Sequence, residues 1–278
     1  MKLYFVICLS FLIASCNAAE FTEFTELGDL RILGIVADSS EIDGTATGAV
    51  NITLTPFISD ISAAGRTFQV SVVSCLDTGF VTGNQPGCEN PQVEVYPNAN
   101  TFDTTSLAAS DHTGNMDPIT ITVNNPASLI SGFSDQRKFN GVSYFIVFSL
   151  VNGSERLTAV KELVITTRTP LNQNPSISSV NFDGVALTSG PSSEGELTVS
   201  FGAGGEPESF QEQKNDGTLE ATTESYLISF FTDREKVSPA RILDGQSATY
   251  LAKESGSTRL VVVVKDRRGG TAIQMINP

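Results

Sequence analysis

The fold of this chain is decided by Ser143-Tyr144-Phe145-Ile146-Val147-Phe148-Ser149-Leu150, the pair Asn152-Gly153, and residues 156–166 that follow. Both flanking segments are rich in β-branched and aromatic residues and show apolar alternation, the pattern of half-buried strands. Asn and Gly both tolerate positive φ, so Asn152-Gly153 indicates a tight hairpin turn. The stretch therefore predicts two antiparallel strands joined by that turn.

The same pattern recurs before this hairpin, in segments separated by glycine, asparagine, aspartate, proline and serine residues. Long helical patterns are missing. Together with the hairpin these segments make seven short strands, a number typical of an immunoglobulin-like β-sandwich. The five earlier candidate strands are residues 30–37, 50–55, 67–74, 92–96 and 119–123.

A second group of candidate strands follows Thr169-Pro170-Leu171-Asn172-Gln173-Asn174-Pro175, which has two prolines and no alternation and is typical of a linker. We therefore predict an all-β chain of two tandem sandwiches, residues 29–169 and 176–278, each folding separately, with a linker at 170–175. The polar stretch 202–224 is predicted as a mobile loop. The candidate strands after the linker are 177–182, 196–201, 225–231, 247–252, 258–264 and 271–276.

The chain begins with one basic residue, Lys2, and an apolar run over residues 3–13. This layout is typical of a secretory signal, and the run is too short to span a membrane as a helix. The run ends in Ile13-Ala14-Ser15-Cys16, which resembles the lipobox of bacterial lipoproteins.

That resemblance implies a signal peptide over residues 1–15, cleavage before Cys16, a thioether-linked diacylglycerol on Cys16, and an acyl chain such as palmitate on its new amine. Residues 16–28 then form a lipidated tether. Asn17, where an Asp retains lipoproteins in the inner membrane, favours the outer membrane. The alternative is an ordinary secretory signal cut near Ala18-Ala19, in which Cys16 is discarded.

The chain is acidic, with 17 basic and 31 acidic residues and a formal net charge of −14. Removal of the signal takes away one basic residue, so the mature charge is about −15. Such a surface repels nucleic acid and anionic headgroups, which excludes both as expected partners. A soluble surface explains the charge more simply than a cation-binding face.

Four cysteines are present, and two remain once Cys8 is removed and Cys16 is lipidated. We predict a disulfide between Cys75 and Cys88, because an exported protein permits oxidation and the intervening residues are rich in turn formers. A metal site is the alternative. It would need two further ligands, and the chain has a single histidine.

Two further stretches are similar to a group of poorly characterised Gram-negative surface lipoproteins with immunoglobulin-like domains. These are Leu30-Arg31-Ile32-Leu33-Gly34-Ile35, and Leu260 to Gly270, which closes with Asp266-Arg267-Arg268-Gly269-Gly270. The resemblance implies no enzymatic activity. The chain departs from such sandwiches at Tyr144 and Phe230, where a buried tryptophan is common.

We predict no catalytic site, no cofactor and no metal. His112 lies in a polar loop beside Asp111 and lacks a nucleophile motif, so it is interpreted as an exposed histidine. The acidic stretch 206–224 lacks an EF-hand pattern and is interpreted as a solvated loop, with cation binding left open. The Asp266–Gly270 stretch predicts a hairpin turn. Anion binding by its two arginines is the alternative.

The expected function is a membrane-anchored, non-catalytic binding, adhesion or spacer module at the cell envelope. The membrane is the expected partner through Cys16, together with an envelope protein or a glycan. An accessory subunit of an envelope assembly or secretion complex is the alternative. A glycan hydrolase is the least favoured class, because no spacing of carboxylates singles out a pair and the chain has no tryptophan.

Overall fold

A computed structural model describes residues 27–61, 65–83, 86–95, 101–107, 112–233, 236–251 and 258–278. The predicted signal peptide, Cys8 and Cys16 lie outside these residues. No helix in the described ranges is long and apolar enough to cross a membrane.

The first half of the chain forms strands, two short helices and two 3-10 turns (Asp77–Gly79 and Thr104–Ser106). The helices are α1 (Pro126–Leu129) and α2 (Asp135–Asn140). The strands are β1 (Arg31–Ala37), β2 (Glu41–Asp43), β3 (Ala49–Ser59), β4 (Thr67–Leu76), β5 (Phe80–Val81), β6 (Gly87–Cys88), β7 (Val93–Val95), β8 (Thr101–Asp103), β9 (Thr113–Asn115), β10 (Ile119–Asn124), β11 (Val142–Asn152) and β12 (Glu155–Thr166).

These strands form two facing sheets with immunoglobulin-like connectivity. One sheet has the order β1-β3-β10, with β9 beside β3, and the other has the order β2-β12-β11-β4-β7, with β8 beside β4. This arrangement corresponds to strands A, B and E against G, F and C of an immunoglobulin domain. Strand β2 pairs parallel to β12, because the chain crosses from the first sheet to the second between β1 and β2.

The predicted hairpin of β11 and β12 supplies much of the first core. Val142, Tyr144, Ile146, Phe148 and Leu150 alternate along β11 and are all buried, because alternate side chains of a strand face the same side. The turn is displaced by one position from the prediction. Asn152 pairs with Glu155, so Gly153 and Ser154 form the turn and Gly153 has a φ of +58°.

The disulfide between Cys75 and Cys88 is present, as predicted. It ties the end of β4 to the β5–β6 hairpin, in which Phe80 pairs with Cys88. The Phe80 ring stacks on Phe145 of β11 at 4.2 Å between ring centroids. In the chain-entropy model, closing a loop of this length contributes about 3 kcal/mol.

The second half forms its own pair of sheets. One has the order β14-β13-β15-β21-β19 and the other β20-β18-β22-β23, so the strands correspond to A, B, E and D against C, F and G, with β20 at the edge beside C. The strands are β13 (Ile177–Phe182), β14 (Val185–Ala186), β15 (Gly195–Phe201), β16 (Ser209–Gln213), β17 (Leu219–Thr223), β18 (Leu227–Thr232), β19 (Lys236–Ser238), β20 (Arg241–Leu243), β21 (Ala248–Leu251), β22 (Leu260–Lys265) and β23 (Thr271–Ile276).

The all-β class with tandem immunoglobulin-like sandwiches is thus present. No strand of one half pairs with a strand of the other in the described part of the chain. Phe230 lies on the C strand of the second sandwich and fills the buried position that a tryptophan often takes. Tyr144 was the wrong match for that position, since it lies on the F strand; its hydroxyl bonds to Ser74 at 2.6 Å.

One expectation about polar segments is wrong, and two others gain contacts that the sequence did not indicate. Residues 202–224 contain the β16–β17 hairpin, turning at Asn215-Asp216-Gly217, where Gly217 has a φ of +83°. Leu27, expected in the tether, is only 2% exposed. The segment 170–175 is built into the contact between the sandwiches, where Asn172 is buried, so it does not act as a free linker.

Candidate functional site

The two sandwiches meet at a junction that has an apolar part and a charged part. The apolar part consists of Leu27, Leu33 and Phe57 packed against Phe231, Val261 and Val263 of the second sandwich. Gly34 of β1 lets the two bodies approach closely, because a Cβ there would lie 2.8 Å from a side-chain carbon of Ile273. The junction therefore resembles a small hydrophobic core.

The charged part of the junction is centred on Glu41 of β2, which is 1% exposed. Arg268 of the second sandwich donates to it in a fork, from Nε to Oε1 and from Nη2 to Oε2, both at 2.9 Å. Arg168 donates to Oε1 at 2.6 Å, and the Asn172 amide donates to Oε2 at 2.8 Å. Paired, bidentate geometry of this kind offsets the cost of burying the charges.

The Asp266–Gly270 turn joins β22 to β23, as predicted, and positions Arg268. The Asp266 side chain accepts from the amides of Arg268 and Gly270 at 2.8 and 2.6 Å. Gly269 has a φ of +93°, and a Cβ there would lie 2.8 Å from the Glu162 carbonyl oxygen. The Asp266–Gly270 motif thus forms a turn that places Arg268 of the second sandwich against Glu41 of the first.

The β16–β17 hairpin covers this charged cluster. The Phe210 ring contacts both guanidinium groups, with its centroid 4.9 Å from Arg168 and 4.6 Å from Arg268, at distances that suit cation–π attraction. At the end of β16 the Gln213 amide donates to Asn140 Oδ1 at 2.7 Å, and Asn140 Nδ2 donates to the Gln213 carbonyl at 2.8 Å. The hairpin of the second sandwich is therefore held on helix α2 of the first.

Two glutamates of the predicted acidic loop belong to this cluster. Glu224 is 4% exposed and lies 3.2 Å from Arg268 Nη1, and Glu208 lies 3.5 Å from the same atom. The expectation of a solvated acidic loop is therefore wrong for Glu224, whereas the Glu208 side chain is partly exposed, at 28%. Within the described ranges, no group of three or more His, Cys, Asp or Glu residues could hold a metal ion.

The connecting segment adds hydrogen bonds to both bodies. Asn172 Nδ2 donates to Asp266 Oδ2 at 2.8 Å, and Asn174 Nδ2 donates to the Ala37 carbonyl at 2.7 Å. Asn174 Oδ1 accepts from the Thr271 amide at 3.2 Å. The side-chain amides of Asn172 and Asn174 therefore explain why residues 170–175, which show no alternation of apolar and polar residues, are part of the junction.

The remaining residues singled out in the sequence are not brought into one site. His112 has a φ of +47° and lies directly before β9, and its neighbour Asp111 lies outside the described residues. Cys75 and Cys88 are bonded at the end of β4, which lies in the same sheet as β2 but is separated from it by β12 and β11. The sequence analysis did not single out Glu41, Arg168 or Lys161. The Glu41–Arg268 contact joins residues 227 positions apart, and no local sequence pattern indicates a contact at that distance.

Comparisons with known proteins concern the fold only. No protein-family model and no curated protein matches this chain. Among solved structures, red sea bream transglutaminase is 7% identical with a TM-score of 0.28, over 91% of this chain and 31% of its own. The D00-D0 domain of intimin is 11% identical with a TM-score of 0.22, over 90% and 96%. Escherichia coli alpha-2-macroglobulin activated by porcine elastase is 10% identical with a TM-score of 0.22, over 92% and 22%.

The chain spans about a third of the transglutaminase's length. These similarities carry no argument about function.

Lys161 of β12 lies at the junction and donates to the Gly269 carbonyl and to Thr271 Oγ1. Burial lowers the pKa of its ammonium group to about 7, with Asp266 acting in the opposite direction and Lys265 adding to the decrease. Its neutral amine can still donate both hydrogen bonds. Lys161 therefore titrates near neutral pH, as does Glu224, whose carboxyl pKa is raised to about 7 by burial.

We expect the junction to be more stable at alkaline pH. Between pH 7 and 10.5 the unfolded state binds a proton at Lys161 that the folded state does not, so stability rises with pH, by at most about 1.4 kcal/mol per unit. Urea unfolding at pH 6.5 to 9.5 measures this slope. Lys161→Met should lack that contribution, and equal slopes in both proteins would contradict the assignment.

Proposed function

We propose that this chain is a membrane-anchored lipoprotein that acts as a non-catalytic binding, adhesion or spacer module at the cell envelope. The observation that carries the proposal is the order of its parts. A lipobox-like Ile13-Ala14-Ser15-Cys16 is followed, from Leu27 onward, by two sandwiches held together by a buried ion cluster. A lipid on Cys16 would stand about ten residues from a rigid body.

The rigidity of that body supports a spacer or display role. Domains joined by polar contacts alone move relative to one another by default. Here an apolar cluster, a bidentate ion pair and the bound connecting segment act on the same junction. Such a body would present its loops and sheet edges at a defined distance from the membrane.

The buried charges support a structural role better than a catalytic one. Glu41 pairs with both Arg168 and Arg268, and Arg268 Nη1 also donates to Glu224. Burial lowers the pKa of Arg268, but the hydrogen bonds and negative charge of Glu41 outweigh this and raise it overall. Mutual pairing of these charges across the junction holds the two sandwiches together.

Metabolic labelling with a clickable fatty acid tests the anchor. We expect the wild type and Cys8→Ala to be labelled and Cys16→Ala to be unlabelled, because the acyl chains would be carried by Cys16 alone. Equal labelling of the wild type and Cys16→Ala would contradict the anchor.

Membrane fractionation of the labelled cells tests the location. We expect the wild type in the outer-membrane fraction and Asn17→Asp in the inner-membrane fraction. Recovery of both proteins in the inner membrane would contradict the proposed location.

A further inference from the structure

A cavity of about 270 Å³ lies at the junction, between β1, the middle of β12 and the turn that joins β22 to β23. Strand β12 contributes residues 159–162, and the turn with its flanking residues contributes 265–267 and 269–271. The volume equals that of roughly nine water molecules in the liquid, so the cavity can hold a small organic molecule. Its lining does not include Glu41, Arg168 or Arg268 of the buried ion cluster.

Lys161 places its amino group among the residues that line this cavity. Its Nζ donates to the Gly269 carbonyl oxygen and to Thr271 Oγ1, and both acceptors are uncharged. Gly269 and Thr271 line the cavity as well. Lys161 is 6% exposed, and in the described ranges no carboxylate oxygen lies within ion-pair distance of Nζ. A charged ammonium group would therefore be buried here without an ion-pair partner.

A second cation lies beside Lys161. Lys265 pairs with Thr271 across β22 and β23, so its side chain shares the face on which Thr271 meets Lys161. Burial and a neighbouring positive charge both disfavour the charged form of an amine. The negative charges of Asp266 and Glu162 act in the opposite direction, but burial is the largest influence and the pKa of Lys161 falls to about 7.

A neutral lysine amine is a nucleophile, and desolvation beside another cation is a general way to obtain one. Because the amine donates both of its hydrogens, to Gly269 and to Thr271, its lone pair is directed away from these acceptors. At pH 7.5 its neutral fraction is roughly several hundred times that of a lysine with the ordinary pKa. These features favour attack of Lys161 on a carbonyl carbon.

The charges around the cavity favour a carbonyl compound that also carries a carboxylate. Lys265 and Arg267 line the cavity, and in the described part of the chain neither has a hydrogen bond or an ion pair. The two carboxylates of the lining are already hydrogen-bonded, Asp266 to amides of its own turn and Glu162 to Ser143 Oγ. An incoming carboxylate would therefore meet two cations that have no such partner.

We propose that Lys161 is a covalent binding site for a small 2-oxo acid, which it holds as a Schiff base while Lys265 and Arg267 receive the carboxylate. Nζ attacks the carbonyl carbon, the carbonyl electron pair moves to oxygen, and one proton passes from nitrogen to that oxygen. The carbinolamine then loses its hydroxyl group and the second nitrogen proton as water, which leaves a C=N bond. The step is reversible, requires no oxidant or reductant, and does not depend on the proposed lipid anchor.

Reductive trapping in the folded full chain tests this site. With glyoxylate as the probe, cyanoborohydride at pH 7.5 reduces the imine to a stable secondary amine that peptide mass spectrometry locates. We expect Lys161 to be modified at least about tenfold faster than Lys214, an exposed lysine paired with Glu220. Lys161→Met should lose the fast modification and keep the slow modification of the other lysines. If that variant fails to fold, the ratio of the Lys161 and Lys214 rates in the wild type decides.

Lys265→Met tests the role of the second cation. The pKa of Lys161 should rise, so the modification of Lys161 by uncharged glycolaldehyde should shift to higher pH, whereas the control Lys214→Met should leave that profile unchanged. In the wild type, the ratio of the Lys161 and Lys214 rates should be larger for glyoxylate than for glycolaldehyde. Modification of Lys161 no faster than that of Lys214, or only after unfolding, would overturn the site. Equal ratios for the two probes would overturn the 2-oxo acid as its ligand.

Discussion

Replacing Glu41 by alanine is expected to lower the free energy of unfolding by about 3–5 kcal/mol, because it leaves Arg168 and Arg268 buried without their carboxylate. Arg168 and Arg268 are 4% and 6% exposed, so neither guanidinium group can turn to water without disturbing the junction. Urea unfolding at constant pH measures the change. The junction should weaken first, since all the groups involved lie between the sandwiches.

The matched control is Glu155→Ala, which removes an exposed ion pair with Arg66 at 2.7 Å. Exposed pairs contribute about 0–1 kcal/mol, so this change should be small. Replacing Glu41, Arg168 and Arg268 together by apolar residues should cost less than removing Glu41 alone. A Glu41→Ala protein as stable as Glu155→Ala would show that the cluster does not stabilise the junction.

Replacing Val263 by aspartate is expected to separate the two sandwiches. Val263 is 2% exposed in the apolar part of the junction, and an unpaired carboxylate there carries a desolvation cost of several kcal/mol. Val263 points away from the core of its own sandwich, so that core remains intact. We expect urea unfolding to change from one transition to two, and proteolysis near residues 169–175 to become faster.

The control is Val185→Asp, which makes the same change at a position that is 70% exposed in the same sandwich. It should unfold like the wild type. If Val263→Asp also gives a single, unshifted transition, the apolar junction does not couple the two bodies. A fragment of residues 176–278 would also expose Phe231, Val261 and Val263 to water. A second unfolding transition in Val263→Asp would therefore support the prediction that this fragment folds alone.

Most of the strands could be predicted from the sequence, because a strand with one buried face has a period of two that is visible locally. All thirteen predicted strands overlap observed ones, and the Asp266–Gly270 turn and the cysteine pair were also predicted correctly. The β16–β17 hairpin was missed, because residues 209–223 contain few apolar side chains. Its main apolar contact, Phe210, packs on guanidinium groups from residues distant in the chain.

The sequence by itself determined the class of fold and the disulfide, since each follows from patterns within a few dozen residues. Only the tertiary structure decided that Glu41 meets Arg168 and Arg268, 127 and 227 positions away. It also decided that Lys161 of the first sandwich and Lys265 of the second line one cavity. Such contacts depend on how two finished sandwiches pack against each other, and no local periodicity encodes that packing.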